Sequence, residues 1–98
     1  MIKKYDGKYI VRAKGAGVFY GDIAERNGRE VHMKNARRLW YWDGATDCIQ
    51  ISADGVKRPE NCKFTMYADD IEILDVIEVI PATEQAAKAI EGVYVWKM

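Results

Sequence analysis

Alternation of apolar and polar residues predicts β-strands along most of this chain. Tyr9-Ile-Val-Arg-Ala13 is β-branched and alternating, and Lys14-Gly-Ala-Gly17 ends it with two glycines suited to positive φ or close backbone approach. Val18 to Glu25 reads as a second strand, followed by a hairpin signal at Arg26-Asn27-Gly28. Two registers compete there, and charge separates them. A two-residue Asn27-Gly28 turn sets Arg26 against Arg29 and Glu25 against Glu30. A three-residue loop, with Gly28 as the left-handed bulge residue, sets Glu25 against Arg29 and Ile23 against Val31. Facing opposite charges or β-branched pairs gain ~0.2–1 kcal/mol each and like charges destabilise, so the bulged turn is expected. It places Phe19, Ile23, Val31 and Met33 on the core face. Tyr20, Asp22, His32 and Lys34 fall on the other, with His32 opposite Asp22.

A further strand is predicted from about Arg37, with Leu39 and Tyr41 on one face and Arg38, Trp40 and Trp42 on the other. Asp43-Gly44 ends it. Cys48-Ile-Gln-Ile-Ser52 fits either a strand or a helical turn, Ala53-Asp-Gly55 is a turn, and Arg58-Pro-Glu-Asn61 is a surface loop. Lys63 to Tyr67 reads as a short strand and Asp69-Asp70 as a solvated turn. Ile71 to Ile80 reads as a longer strand, kinked near Leu74-Asp75 where the alternation slips. Pro81 stops it; Thr83 is an N-cap, and Glu84 to Glu91 forms a helix with Ala87 and Ile90 on its apolar side and Gly92 beyond its end. Val93-Tyr-Val-Trp96 is too apolar to hang free and is expected at a sheet edge or across a barrel mouth. The expected fold is mainly β: a small bent antiparallel sheet or barrel with one C-terminal helix.

Composition narrows the function classes. The 98 residues suffice for one domain, taken as 1–98. Fifteen basic and fifteen acidic residues cancel, which argues against a nucleic-acid polymer as partner and requires any anion site to be a local cluster. The longest near-continuous apolar stretch, Ile71 to Ile80, is interrupted by Glu72, Asp75 and Glu78, whereas a membrane span takes about 20 residues. Met1 to Lys8 has three lysines with no apolar run behind them, unlike a signal peptide. A cytoplasmic protein with Cys48 and Cys62 reduced is expected. Those two cysteines and His32 are too few for zinc, and Asp43 and Asp47 do not make a calcium loop. Neither thiol has an identifiable base or oxyanion site, so no enzyme and no cofactor are expected.

The segment with the strongest chemical character is Asn35-Ala-Arg-Arg-Leu-Trp-Tyr-Trp42. Arginine gives bidentate bonds to phosphate, and indole faces stack on bases for ~1–3 kcal/mol each. The expected ligand set is Arg37, Arg38, Trp40 and Trp42, assisted by Asn35 and Tyr20, with Arg38 favoured over Arg37 because alternation sets it beside both tryptophans. The competing explanation is plain packing: aromatic residues favour strands, and an arginine stem often covers a tryptophan. Gly15-Ala-Gly17 lacks the lysine and following helix of a P-loop. Three tryptophans and six tyrosines are more aromatic surface than so small a core readily hides, which predicts a homo-oligomer.

Spread over the chain are Ala16-Gly-Val-Phe-Tyr-Gly21, Asn27-Gly28, Lys34-Asn-Ala-Arg-Arg-Leu-Trp-Tyr-Trp42 with Gly44-Ala45, Pro59-Glu-Asn-Cys-Lys-Phe64, Val76-Ile-Glu-Val-Ile-Pro81 with Thr83-Glu84, and Val95-Trp-Lys97. Together, from about Tyr9 to Trp96, these resemble a family of short tailed-bacteriophage and prophage proteins. The chain departs from that pattern at Thr46-Asp-Cys-Ile-Gln50, where a serine- and leucine-containing run is usual. No reaction comes with the resemblance. The phage setting implies a role class: counteracting host defence by sequestering a nucleotide signal, such as a cyclic oligonucleotide or a cyclic ADP-ribose isomer, by analogy with other small phage proteins. The alternative is a protein-binding or structural phage module, since Trp, Tyr and Arg also dominate protein hot spots.

Overall fold

The computed structural model describes residues 5–98, so the first four residues of the Met1–Lys8 stretch, read as unlike a signal peptide, lie outside the described residues. Its elements are β1 (Tyr9–Ala13), β2 (Gly17–Asn27), β3 (Glu30–Tyr41), α1 (Cys48–Asp54), a 3-10 turn at Pro59–Asn61, β4 (Lys63–Phe64), β5 (Ala68–Ile73), β6 (Val76–Pro81) and α2 (Glu84–Glu91). All named strand pairs are antiparallel, in the order β4-β3-β2-β1-β6, with β5 also paired to β3, at Val31 to Ala36. The sheet is bent without closing, so the mainly β expectation holds. The long strand expected at Ile71–Ile80 is two strands, which break where the alternation slips. Asp75 adopts φ 56° there, and the chain crosses from β3's side to β1's.

Two cores follow from this bend. The inner one consists of strand residues such as Tyr9, Val11, Phe19, Ile23, Val31, Met33 and Ile73. On the outer face, Ile10, Val18, Tyr20, Leu39 and Phe64 pack against Ile51 of α1, Ile90 of α2 and Val93. The expected face assignment of β2 and the start of β3 is therefore correct, with the qualification that its "other" face is itself buried around Tyr20.

The hairpin register differs from both alternatives. Asn27 faces Glu30, leaving Gly28-Arg29 as the loop, and Gly28 takes φ 63°, the conformation a type II′ turn requires at its first central position. Arg26 then faces Val31 and Glu25 faces His32, which avoids like-charge pairs, and a bulge at Ala24 restores Ile23 opposite Met33. The expected His32–Asp22 pair is absent. Asp22 faces Lys34 and bonds Lys8 at 2.9 Å, while His32 reaches Asp70 at 2.9 Å. Asp69-Asp70 thus lies in β5 rather than a turn, because β5 borders the polar stretch of β3 and Asp70 also meets Lys34 at 2.9 Å.

Segment 48–52 is helical. Asp47 caps it by accepting from Gln50 N at 3.1 Å, and Gln50 Oε1 accepts in return from Thr46 N at 2.8 Å. That Asp-x-x-Gln spacing is a capping-box signal, so the fold has a second helix beside the expected C-terminal one. The latter has the predicted bounds, Glu84–Glu91, with Thr83 accepting from Ala86 N. The tail pairs as expected at a sheet edge: Val95 bridges Phe64, and Trp96 N donates to Phe64 O at 2.8 Å.

Candidate functional site

A bulge in β3 decides where the Arg-Arg-Leu-Trp segment points. Tyr20 pairs with Arg37 and Asp22 with Lys34, so Asn35 and Ala36 together oppose Gly21. Asn35 takes φ 50°, a left-handed conformation that Asn tolerates better than most side chains. The backbones approach so closely that a Cβ on Gly21 would lie 2.7 Å from Ala36 Cα. Past the bulge, Ala36 and not Asn35 continues the inner face, and Arg37 turns outward toward the helices. Asn35 remains exposed, its Nδ2 donating to Asp22 at 3.4 Å.

Arg37 is 1% exposed and uses every donor it has. Nε donates to Thr65 O at 2.9 Å, one terminal nitrogen to Ile90 O and Val93 O at 3.0 Å each, and the other to Phe64 O at 3.3 Å and Tyr94 O at 3.2 Å. A guanidinium has five N–H groups, and five carbonyls receive them here. Ile90 lies in the last turn of α2, where carbonyls carry the negative end of the helix dipole, and the Phe64 and Tyr67 rings flank the cation at 5.5 and 4.8 Å. Arg37 therefore ties the C-terminal tail and α2 to the sheet. It has no donor left for a ligand, which removes it from the expected binding set.

Tyr20, its partner on β2, is also buried, and its hydroxyl donates to the Glu91 carboxylate. Burial, reinforced by that bond, pushes its phenol well above the usual range. Tyr20 thus acts as a second tie to α2. Burial also raises both thiols, Cys48 and Cys62.

The remaining residues of the set separate. Arg38 lays its guanidinium over the Phe19 ring at 4.9 Å, and its Nε is buried without a hydrogen-bond partner. A register shift between Leu39 and Tyr41 interrupts the alternation at Trp40. Trp40 is 62% exposed yet stacked on Trp96, with ring centroids 6.2 Å apart and planes at 13°. Lys63 Nζ sits 5.6 Å from the Trp96 ring. Tyr41, expected beside buried Leu39, is exposed, as are Tyr94 and Val95. Trp42 lies beyond the end of β3 and packs against the outer core. The common face expected for Arg38, Trp40 and Trp42 is not formed.

Two hollows share Trp42 in their linings. One, of about 570 Å³, has Val18, Cys48 and Ile49 on its wall and the Arg12–Glu78 ion pair (2.9 Å) at its side. The other, of about 430 Å³, is lined by Asp43, Gly44, Lys57 and Arg58; Trp42 and Thr46 line both. Asp43 accepts from Arg58 at 2.8 Å and from Asn61 at 2.9 Å, and these bonds, that of Asn61 foremost, hold its carboxyl below the usual range. Sequence reading missed Trp96, Lys63, Arg12 and Lys57, all brought in by long-range pairing with no local signal.

The family model described as "Domain of unknown function (DUF6948)" matches residues 7–90. The chain belongs to the DUF6948 family. No curated protein and no solved structure matches it. Within this DUF6948 chain, among the described residues, no group of three or more His, Cys, Asp or Glu is placed to hold a metal ion, and no helix is long and apolar enough to cross a membrane.

Proposed function

We propose that this DUF6948 protein is a phage accessory protein, acting in the bacterial host cytoplasm, that binds and sequesters a small anionic ligand without catalysing its conversion. The ligand class is a nucleotide immune signal of the cyclic oligonucleotide or cyclic ADP-ribose type, held at or near an interface between copies of the chain. The observation that carries this reading is the Trp40–Trp96 stack. An indole exposed to solvent but held by a parallel neighbour offers a base a stacking face with little further loss of side-chain freedom. Lys63 at that stack supplies positive charge. Arg38, whose Nε is buried and whose guanidinium lies over Phe19, does not share that face.

A thermal-shift screen against cyclic di- and trinucleotides and cyclic ADP-ribose isomers tests it. A ligand at about 100 times its dissociation constant stabilises by ~2.7 kcal/mol, and Trp40→Ala is expected to weaken it by about 1–3 kcal/mol. A screen in which no compound raises the melting temperature would count against the reading.

A second reading, a protein-binding module, is favoured by one observation: exposed Trp40, Tyr41, Tyr94 and Val95 all belong to the β3–β4–tail region, and aromatic residues dominate protein hot spots. It predicts no small-molecule ligand.

A further inference from the structure

The two hollows that share Trp42 in their linings differ in character. The larger has an apolar wall, and the charges at its side are Arg12, already bonded to Glu78, and Asp47, the cap of α1. An anionic group gains nothing there. Ile49, 63% exposed on α1, keeps its side chain on this wall where solvent would favour a polar residue. The smaller hollow has the opposite balance: Lys57 and Arg58 against Asp43. Arg58 is bonded to Asp43, and among the described residues Lys57 enters no ion pair, so the surplus cation is Lys57.

We propose that these hollows form one two-part groove for a phosphate monoester of a planar group, such as a nucleoside monophosphate, with the ring beside Trp42 and Ile49 and the phosphate at Lys57. The larger hollow is within the roughly 300–1,000 Å³ of small-molecule sites, and its apolar wall with Trp42 in its lining suits a flat ring. Placing the phosphate on the other side of Trp42 keeps it from Glu78 and Asp47. A single exposed ammonium is too weakly attractive in water to hold phosphate alone, so both halves are required. This groove is separate from the Trp40–Trp96 stack and does not depend on it.

Titrating the full ¹⁵N-labelled chain with adenosine monophosphate, adenosine and inorganic phosphate tests the groove by NMR. Adenosine monophosphate is expected to shift the amides of Gly15, Gly17, Ile49 and Lys57, and adenosine to bind about tenfold more weakly without moving Lys57. Lys57→Glu should weaken the monophosphate by about tenfold or more and leave adenosine unchanged, while Ile49→Glu should abolish both. Both positions are exposed, so the variants are expected to fold. The proposal is overturned if no amide shifts at millimolar monophosphate, if inorganic phosphate binds as tightly, or if Lys57→Glu has no effect. Shifts confined to Trp40, Lys63 and Trp96 would also overturn it while leaving the other site standing.

Discussion

Two residues taken from sequence as ligand groups turn out to be ties between layers, and both give testable energetics. Arg37→Met would take one donor from each of five carbonyls, of which Phe64 O keeps Trp96 N and Ile90 O keeps Val93 N. A buried carbonyl left unsatisfied costs about 1–3 kcal/mol, so losing several of these bonds together should cost about 3 kcal/mol or more. Urea denaturation of the variant should therefore show a large fall in midpoint, and a change below ~1 kcal/mol would mean the tail is held by other contacts. Tyr20 gives a prediction in pH. Its folded pKa is raised above the ordinary 10.0, so the folded chain keeps a proton that the unfolded chain releases. Stability from this group is full below about pH 10 and falls as pH rises beyond it. Tyr20→Phe should flatten the alkaline slope of the urea midpoint; parallel slopes would contradict the assignment.

At the scale of the element, the β3 bulge is the feature on which the site's geometry turns. Gly21→Ala brings a methyl within 2.7 Å of Ala36 Cα, backbone that cannot swing aside, and should cost about 1–3 kcal/mol in melting or urea experiments. The 43–61 segment offers a second check. Asp43's lowered pKa means its contribution is present above the usual carboxylate pKa and lost as pH falls through the lower folded value. Asp43→Asn should thus be less stable than wild type at neutral pH, the difference shrinking below about pH 4. The same scale explains what sequence can reveal. Strand existence, the faces around Phe19 and Ile23, the bounds of α2 and the break at Asp75 were all legible because alternation and capping are local. The bulge was not: it depends on Gly21 admitting a second backbone, and one inserted residue reverses the direction of every side chain after it. That is why Arg37 could be named as important yet assigned the wrong neighbours. Segment 48–54 is a milder case, since its Asp47-x-x-Gln50 cap was present and unused.

For the whole molecule, a non-catalytic binder is proposed whose exposed aromatic region is covered either by a ligand or by another protein surface. A homo-oligomer is expected, and light scattering at tens of micromolar that gives a single-chain mass would contradict it. The central claim concerns Trp40, and one paired experiment tests it most directly. Wild type and Trp40→Ala are titrated calorimetrically with cyclic ADP-ribose and with a cyclic trinucleotide, and their melting temperatures are compared. Binding to wild type is predicted for at least one, weakened about tenfold or more in the variant. Loss of one aromatic contact, ~1 kcal/mol, should lower the melting temperature by no more than about 4–8 °C. No binding heat from wild type, or equal affinity in Trp40→Ala, would contradict it.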